Sequence, residues 1–221
     1  YADRLEAAEN FETALQEMIR KTIQDHKRII FNGNGYDESW VKEAESRGLL
    51  NLKTTPDALP YFKTEENIAL FERQKVLSKE EVESRYEILM DEYEKQINIE
   101  ALTMLDIAKK DILPAASKFS KELTDTITNK KAIGIDLTYE LETAKKISEY
   151  LTEAYQAMMT LENDVKKLHE IDDFEKSAFY VRDFIIQDMA ALRKPCDELE
   201  VITSNRDWPF PTYGKLLFGI Q

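Results

Sequence analysis

Apolar side chains recur on a helical period through most of this chain, and that period limits the fold more than any other feature. Between residues 137 and 171, Ala144, Leu151, Met158 and Val165 alternate with Ile147, Ala154, Leu161 and Leu168. Such a heptad seam is buried only by a helix packed along its length against neighbours. Upstream, Leu105, Ala108, Ile112, Ala116, Phe119, Leu123 and Ile127 step by three and four residues, a pattern suited to nearly straight helix packing. Downstream, Phe174, Ala178, Val181, Ile185, Leu192, Cys196 and Leu199 mark a third helix over 173–203. Short connections between long helices make sequential neighbours antiparallel. The predicted fold is all-α: a long antiparallel three-helix bundle, a smaller helical subdomain, and an extended aromatic C-terminal tail.

The first bundle helix has a clear start. Ser78-Lys-Glu-Glu81 is a capping-box signature, and the helical pattern then holds to Lys131, roughly 80 Å if unbroken. Pro114 lacks a backbone donor and should kink it. Gly134 is placed to stop it, and Asp136 to cap the next helix. The second and third helices match only residues 100–131 of the first in length, so its earlier part falls to the smaller subdomain. There the pattern predicts one helix over 2–30, ended by two Asn-Gly steps that favour left-handed backbone. A short helix over 39–47 follows, stopped by Gly48. Residues 49–64 read as irregular, with one helical turn starting at Thr55-Pro56, and a helix covers 65–74. The first periodic residues stand at the very start without a cap other than Asp3, as expected for a fragment that opens mid-helix.

Charge narrows the partners. Forty-three acidic against 30 basic residues give a net charge of −13 and a pI near 4.8, which argues against nucleic acid and against anionic membrane surfaces. No apolar run approaches the roughly 18 residues of a spanning helix. The single cysteine, Cys196, permits no internal disulfide and fits a reducing compartment.

Candidate chemistry is sparse. Gly33-Asn34-Gly35 lacks the third glycine of a dinucleotide fingerprint, since Glu38 stands there, and reads as a turn or as a loop reaching a neighbouring site. His26 and His169 are preceded at three positions by Ile23 and Lys166, so the Glu-x-x-His pattern of di-metal bundles is absent. Both read as surface or boundary residues. Cys196 follows Pro195 on the apolar face and reads as a buried thiol. Asp188 stands where a heptad partner of Val181 belongs: either the face shifts to Met189, or a polar contact with a Lys or Arg across the bundle fixes register. Asp91-Glu92 and Asp172-Asp173 read as solvated or capping carboxylates. The tail aromatics Trp208, Phe210, Tyr213 and Phe218 should fold back onto the helices or dock on another domain or subunit.

Three stretches carry a family resemblance. Asn-Gly-Asn-Gly-Tyr at 32–36, Ile-Asn-Ile-Glu-Ala-Leu-Thr-Met at 97–104 and Trp-Pro-Phe-Pro-Thr-Tyr-Gly-Lys-Leu-Leu-Phe at 208–218 occur in the order found in the C-terminal region of bacterial type III glutamine synthetases, which the whole chain resembles. The resemblance implies that residues 1–99 correspond to the end of the catalytic region and that 100–221 form a type III-specific helical bundle and tail. It implies a cytoplasmic enzyme that ligates ammonia to glutamate with ATP and Mg²⁺ or Mn²⁺, built as a dodecamer of stacked hexameric rings. The catalytic carboxylates and phosphate-binding arginines would lie upstream, so this chain has no catalytic, cofactor-binding or metal residue assigned and should be inactive alone. Its partners would be the upstream catalytic domain and neighbouring subunits. The alternative is a stand-alone acidic helical-bundle module that binds a partner protein.

Overall fold

The computed structural model describes residues 1–219 and divides the chain into two units, Tyr1–Lys53 and Thr54–Gln221. No strand occurs among the described residues.

In the first unit, the expected single helix over 2–30 is broken into α1 (Ala2–Glu6) and α2 (Phe11–Asp25). Asn10 is the cause: its side chain accepts from Thr13 N–H at 3.0 Å, giving the backbone an N-cap in place of a helix interior. A 3₁₀ turn at Lys27–Ile29 leads to the loop before α3 (Glu38–Ser46), which Asp37 caps through Ser39 N–H.

The second unit opens with α4 (Thr55–Phe62), two turns rather than one, with Thr54 as its cap and Pro56 in the first turn, where no intrahelical donor is needed. After α5 (Glu65–Arg73), α6 (Lys79–Ile107) starts with the expected capping box between Ser78 and Glu81. Pro114 is accommodated by a π turn at Ala108–Ile112, in which Leu113 N–H reaches back to Ala108 O before α7 (Leu113–Ala132) continues. Gly134, at φ 73, then reverses the chain, and Asp136 accepts from Thr138 at the start of α8 (Thr138–Leu168). The third bundle helix is likewise composite: α9 (Phe174–Tyr180), a π turn at Val181–Ile185, and α10 (Ile186–Ile202).

Cross-helix pairs show the directions. Lys130 meets Glu140, Lys109 meets Glu162, and Asn98 meets His169, so α8 runs antiparallel to α6 and α7. Tyr86 meets Glu175 and Arg206 meets Glu122, so the third helix reverses α8 and lies parallel to the first. The seam closes as the period predicts: Leu105, Ala116, Ile147, Leu161, Val181, Leu192 and Leu199 are all buried in one core. A second cluster of Tyr86, Met90 and Ala178, flanked by Leu59 and Phe174, joins α4 and α6 to α9.

Candidate interaction surfaces

An apolar cleft of about 450 Å³ opens between α6 and α10. Met104, Ala108 and Ile112 line one wall, Met189, Leu192 and Cys196 the other, and Trp208 and Phe210 close one end. Cys196 is buried there, and burial pushes its thiol up to about 11, which makes it a poor nucleophile. Glu100, Arg193, Asp197 and Glu200 stand at the rim, with Arg193 held by Asp197 at 2.7 Å.

The tail is pinned by Asp207. Its side chain has 0% exposure and lies 2.9 Å from Lys118 and 3.1 Å from Arg206. Lys118 and then Arg206 hold its carboxyl below the usual range. The pin seats Trp208 on the bundle core, edge-on to Phe210 with ring centroids 6.2 Å apart. The expectation of a wholly extended tail is corrected beyond that point. Thr212 accepts from Lys215 N–H and starts a short helix, α11 (Tyr213–Phe218), because Gly214 and Lys215 follow the last proline and nothing further blocks the ladder. Leu216, Leu217 and Phe218 are 64%, 69% and 82% exposed. The Tyr213 side chain lies outside what the structure describes. Trp208 therefore folds back onto its own helices, whereas α11 leaves its apolar side chains in solvent.

A polar cluster interrupts the α8–α10 seam. Asp164 is buried and accepts from Lys167 Nζ at 2.5 Å and Tyr180 Oη at 3.0 Å. Asp188 faces it, and its buried Oδ2 accepts no hydrogen bond. Burial first, and then the Asp164 carboxylate, push Asp188 up to about 6, while Lys167 draws Asp164 down. The π turn at Val181–Ile185 places Asp188 here by adding a residue to the turn, and Met189 takes the core position in its stead. The face shift read from the sequence is thus observed, and the polar contact is made with a carboxyl rather than across to a base.

On the other side of the π turn, Arg182 pairs with Asp57 on α4 and with its neighbour Asp183, and its guanidinium lies 4.7 Å from the Phe179 ring centroid. That one side chain ties the first helix of the unit to the third bundle helix.

In the first unit the loop at 32–36 is built by local contacts. The Phe31 ring stacks on Trp40 at 4.1 Å, and Arg47 lies over Trp40 while donating to Arg28 O and Ile30 O. A Cβ on Gly33 would meet the Phe31 ring at 2.7 Å. Neither Gly33 nor Gly35 takes the left-handed backbone expected of the Asn-Gly steps. Asn34 makes the turn with its own side chain instead, accepting from Tyr36 N–H at 3.1 Å. Tyr36 stands at the tip, 99% exposed.

The remaining candidates are surface or capping groups. His26 closes α2, exposed; His169 is exposed beside Asn98; Asp173 caps α9; Asp91 pairs with Lys95. Among the described residues no group of three or more His, Cys, Asp or Glu is placed to hold a metal ion, and no helix is long and apolar enough to cross a membrane.

The fold and its surfaces define a helical packing domain with an apolar cleft, a pinned tail and exposed aromatic and aliphatic side chains. A family model described as "Glutamine synthetase C-terminal domain" matches residues 14–131. The chain is 38% identical over 209 residues to a glutamine synthetase of Butyrivibrio fibrisolvens, covering 94% of this chain and 30% of that protein. It is 33% identical over 217 residues to the type-3 glutamine synthetase of Dictyostelium discoideum, covering 94% and 29%, and 26% identical to a glutamine synthetase of Bacteroides fragilis, covering 93% and 29%. The chain belongs to the glutamine synthetase family, within which it corresponds to the C-terminal domain, and it spans about 30% of the length of the relatives it matches.

Proposed function

We propose that this chain is the C-terminal helical, assembly-supporting part of a glutamine synthetase that, as a whole enzyme in the cytoplasm, ligates ammonia to glutamate with ATP. The carrying observation is one of coverage: 94% of this chain aligns with glutamine synthetases, but it accounts for only 30% of their length. Mg²⁺ or Mn²⁺ would neutralise phosphoryl charge in the remaining part, where the catalytic groups belong. Residues 1–99 would then lie against the catalytic region, and residues 100–221 would form a projecting bundle that serves contacts between subunits of a dodecamer. The cleft between α6 and α10 and the exposed α11 support a role in contacts, since exposed apolar groups of this size mark interaction surfaces.

The test is an assay of glutamine formation from glutamate, ammonia and MgATP, run on the whole enzyme and on this chain alone. Turnover by the whole enzyme and none by the chain is the expected result. Turnover by the chain, or none by the whole protein, would overturn the reading. Sedimentation of the whole enzyme carrying Leu216→Asp and Phe218→Asp should show smaller assemblies; an unchanged mass would remove α11 from the subunit contacts.

A further inference from the structure

The first 53 residues hold not one buried side chain. Phe11, Ile19 and Ile23 of α2 are 57%, 48% and 51% exposed, and Ile29 and Ile30, just beyond it, 59% and 43%. The helix is nonetheless amphipathic: Leu15, Met18 and Thr22 share the more covered side, next to Ile19 and Ile23. A unit of this size without a core cannot meet the conformational entropy of its own ordering. Asn10 and Asp37 cap α2 and α3 and the aromatic stack is local, so what the unit lacks is a surface to bury α2 against.

The size of the face says what kind of partner can cover it. A 15-residue helix is about 22 Å long and presents a stripe about 10 Å wide, some 200 Å². A freely diffusing partner, or a second copy meeting the same face, needs about 800 Å² on each side for a stable interface. A partner joined by the same backbone does not, because tethering supplies an effective concentration in the millimolar range. The relatives extend far beyond the matched region, which accounts for only 30% of one and 29% of another.

We infer that the Phe11, Ile19 and Ile23 face of α2 is a docking surface for the part of the same polypeptide that lies outside this chain, and that residues 1–53 order fully only on that contact. The inference rests on the reading of this chain as part of a longer glutamine synthetase.

Hydrogen exchange read by mass spectrometry, on this chain and on the whole enzyme, tests it. Peptides from α2 should exchange within seconds in this chain and about 100-fold more slowly in the whole enzyme, including at dilutions where it sediments as single subunits. Ile23→Asp in the whole enzyme should restore fast exchange in α2 while α8 peptides stay slow, which shows that the variant is folded. Slow α2 exchange in this chain alone, fast exchange in the whole enzyme, or protection lost on dilution to single subunits would each overturn the inference. Protection of α2 in a whole protein that forms no glutamine would defeat the enzymatic reading and leave the docking surface standing.

Discussion

Residues 1–53 and residues 54–221 both contain helices with side-chain N-caps, such as Asn10 and Asp37 in the one and Thr54, Thr64 and Ser78 in the other, and differ in what lies behind them. In the second unit every long helix sends a row of side chains into a shared core, from Leu105 and Ala116 through Leu161 to Leu199. In the first, α2 has a comparable apolar edge and nothing buried. Capping and amphipathic spacing therefore form helices in both regions, but only the bundle returns hydrophobic free energy for ordering them. Local signals set where helices start; tertiary burial decides which region stands alone.

The sharpest way to break this contrast is to cut equal amounts of side chain from each unit. Leu161→Ala removes a side chain of 0% exposure from the middle of α8 and should cost about 3–4 kcal/mol in urea unfolding followed by circular dichroism. A cost under about 1 kcal/mol would mean a loosely packed seam. Asp207→Ala should release the tail: with Trp40→Phe as background, Trp208 emission should shift to the red as the ring leaves the core, while the bundle stays helical. Unchanged emission would show that Trp208 holds its place without the pin.

A smaller, pH-dependent effect comes from Asp188. Its folded pKa, about 6, lies above the unfolded value, so the folded state binds the extra proton and stability falls as pH rises from about 4 to 6. Above that window the ionised carboxyl is penalised in full. Asp188→Asn keeps a donor toward Asp164 and should gain about 1–2 kcal/mol at pH 7, with partial exposure discounted, and nothing at pH 4. An equal gain at both pH values would rule out the ionisation of Asp188 as the cause. The smallest effect closes the comparison: Ile23→Ala, at a site 51% exposed, should change the stability of this chain by less than about 0.5 kcal/mol.

Much of the bundle was legible because its seams follow fixed periods. Ile147, Ala154, Leu161 and Leu168 fell where a heptad puts them, and the Ser78 capping box and Gly134 stop were written in residue type. The two π turns were not, since neither residue type nor period announces an added residue. Only their effects showed, as Pro114 inside a helical run and Asp188 on an apolar face. Asn10 was missed because a cap within a periodic run looks like one polar position, and α11 because two prolines before it suggested extended chain throughout. Among candidate surfaces, the tail aromatics were visible as composition. The cleft was not, since it needs α6 and α10 side by side.

Limited proteolysis of this chain, followed by mass spectrometry of the surviving fragments, tests the central contrast most directly. The account predicts that first cleavages fall within residues 1–53 and leave a resistant fragment containing α6 to α10. First cleavages in α8 or α10, with residues 1–53 surviving intact, would contradict it.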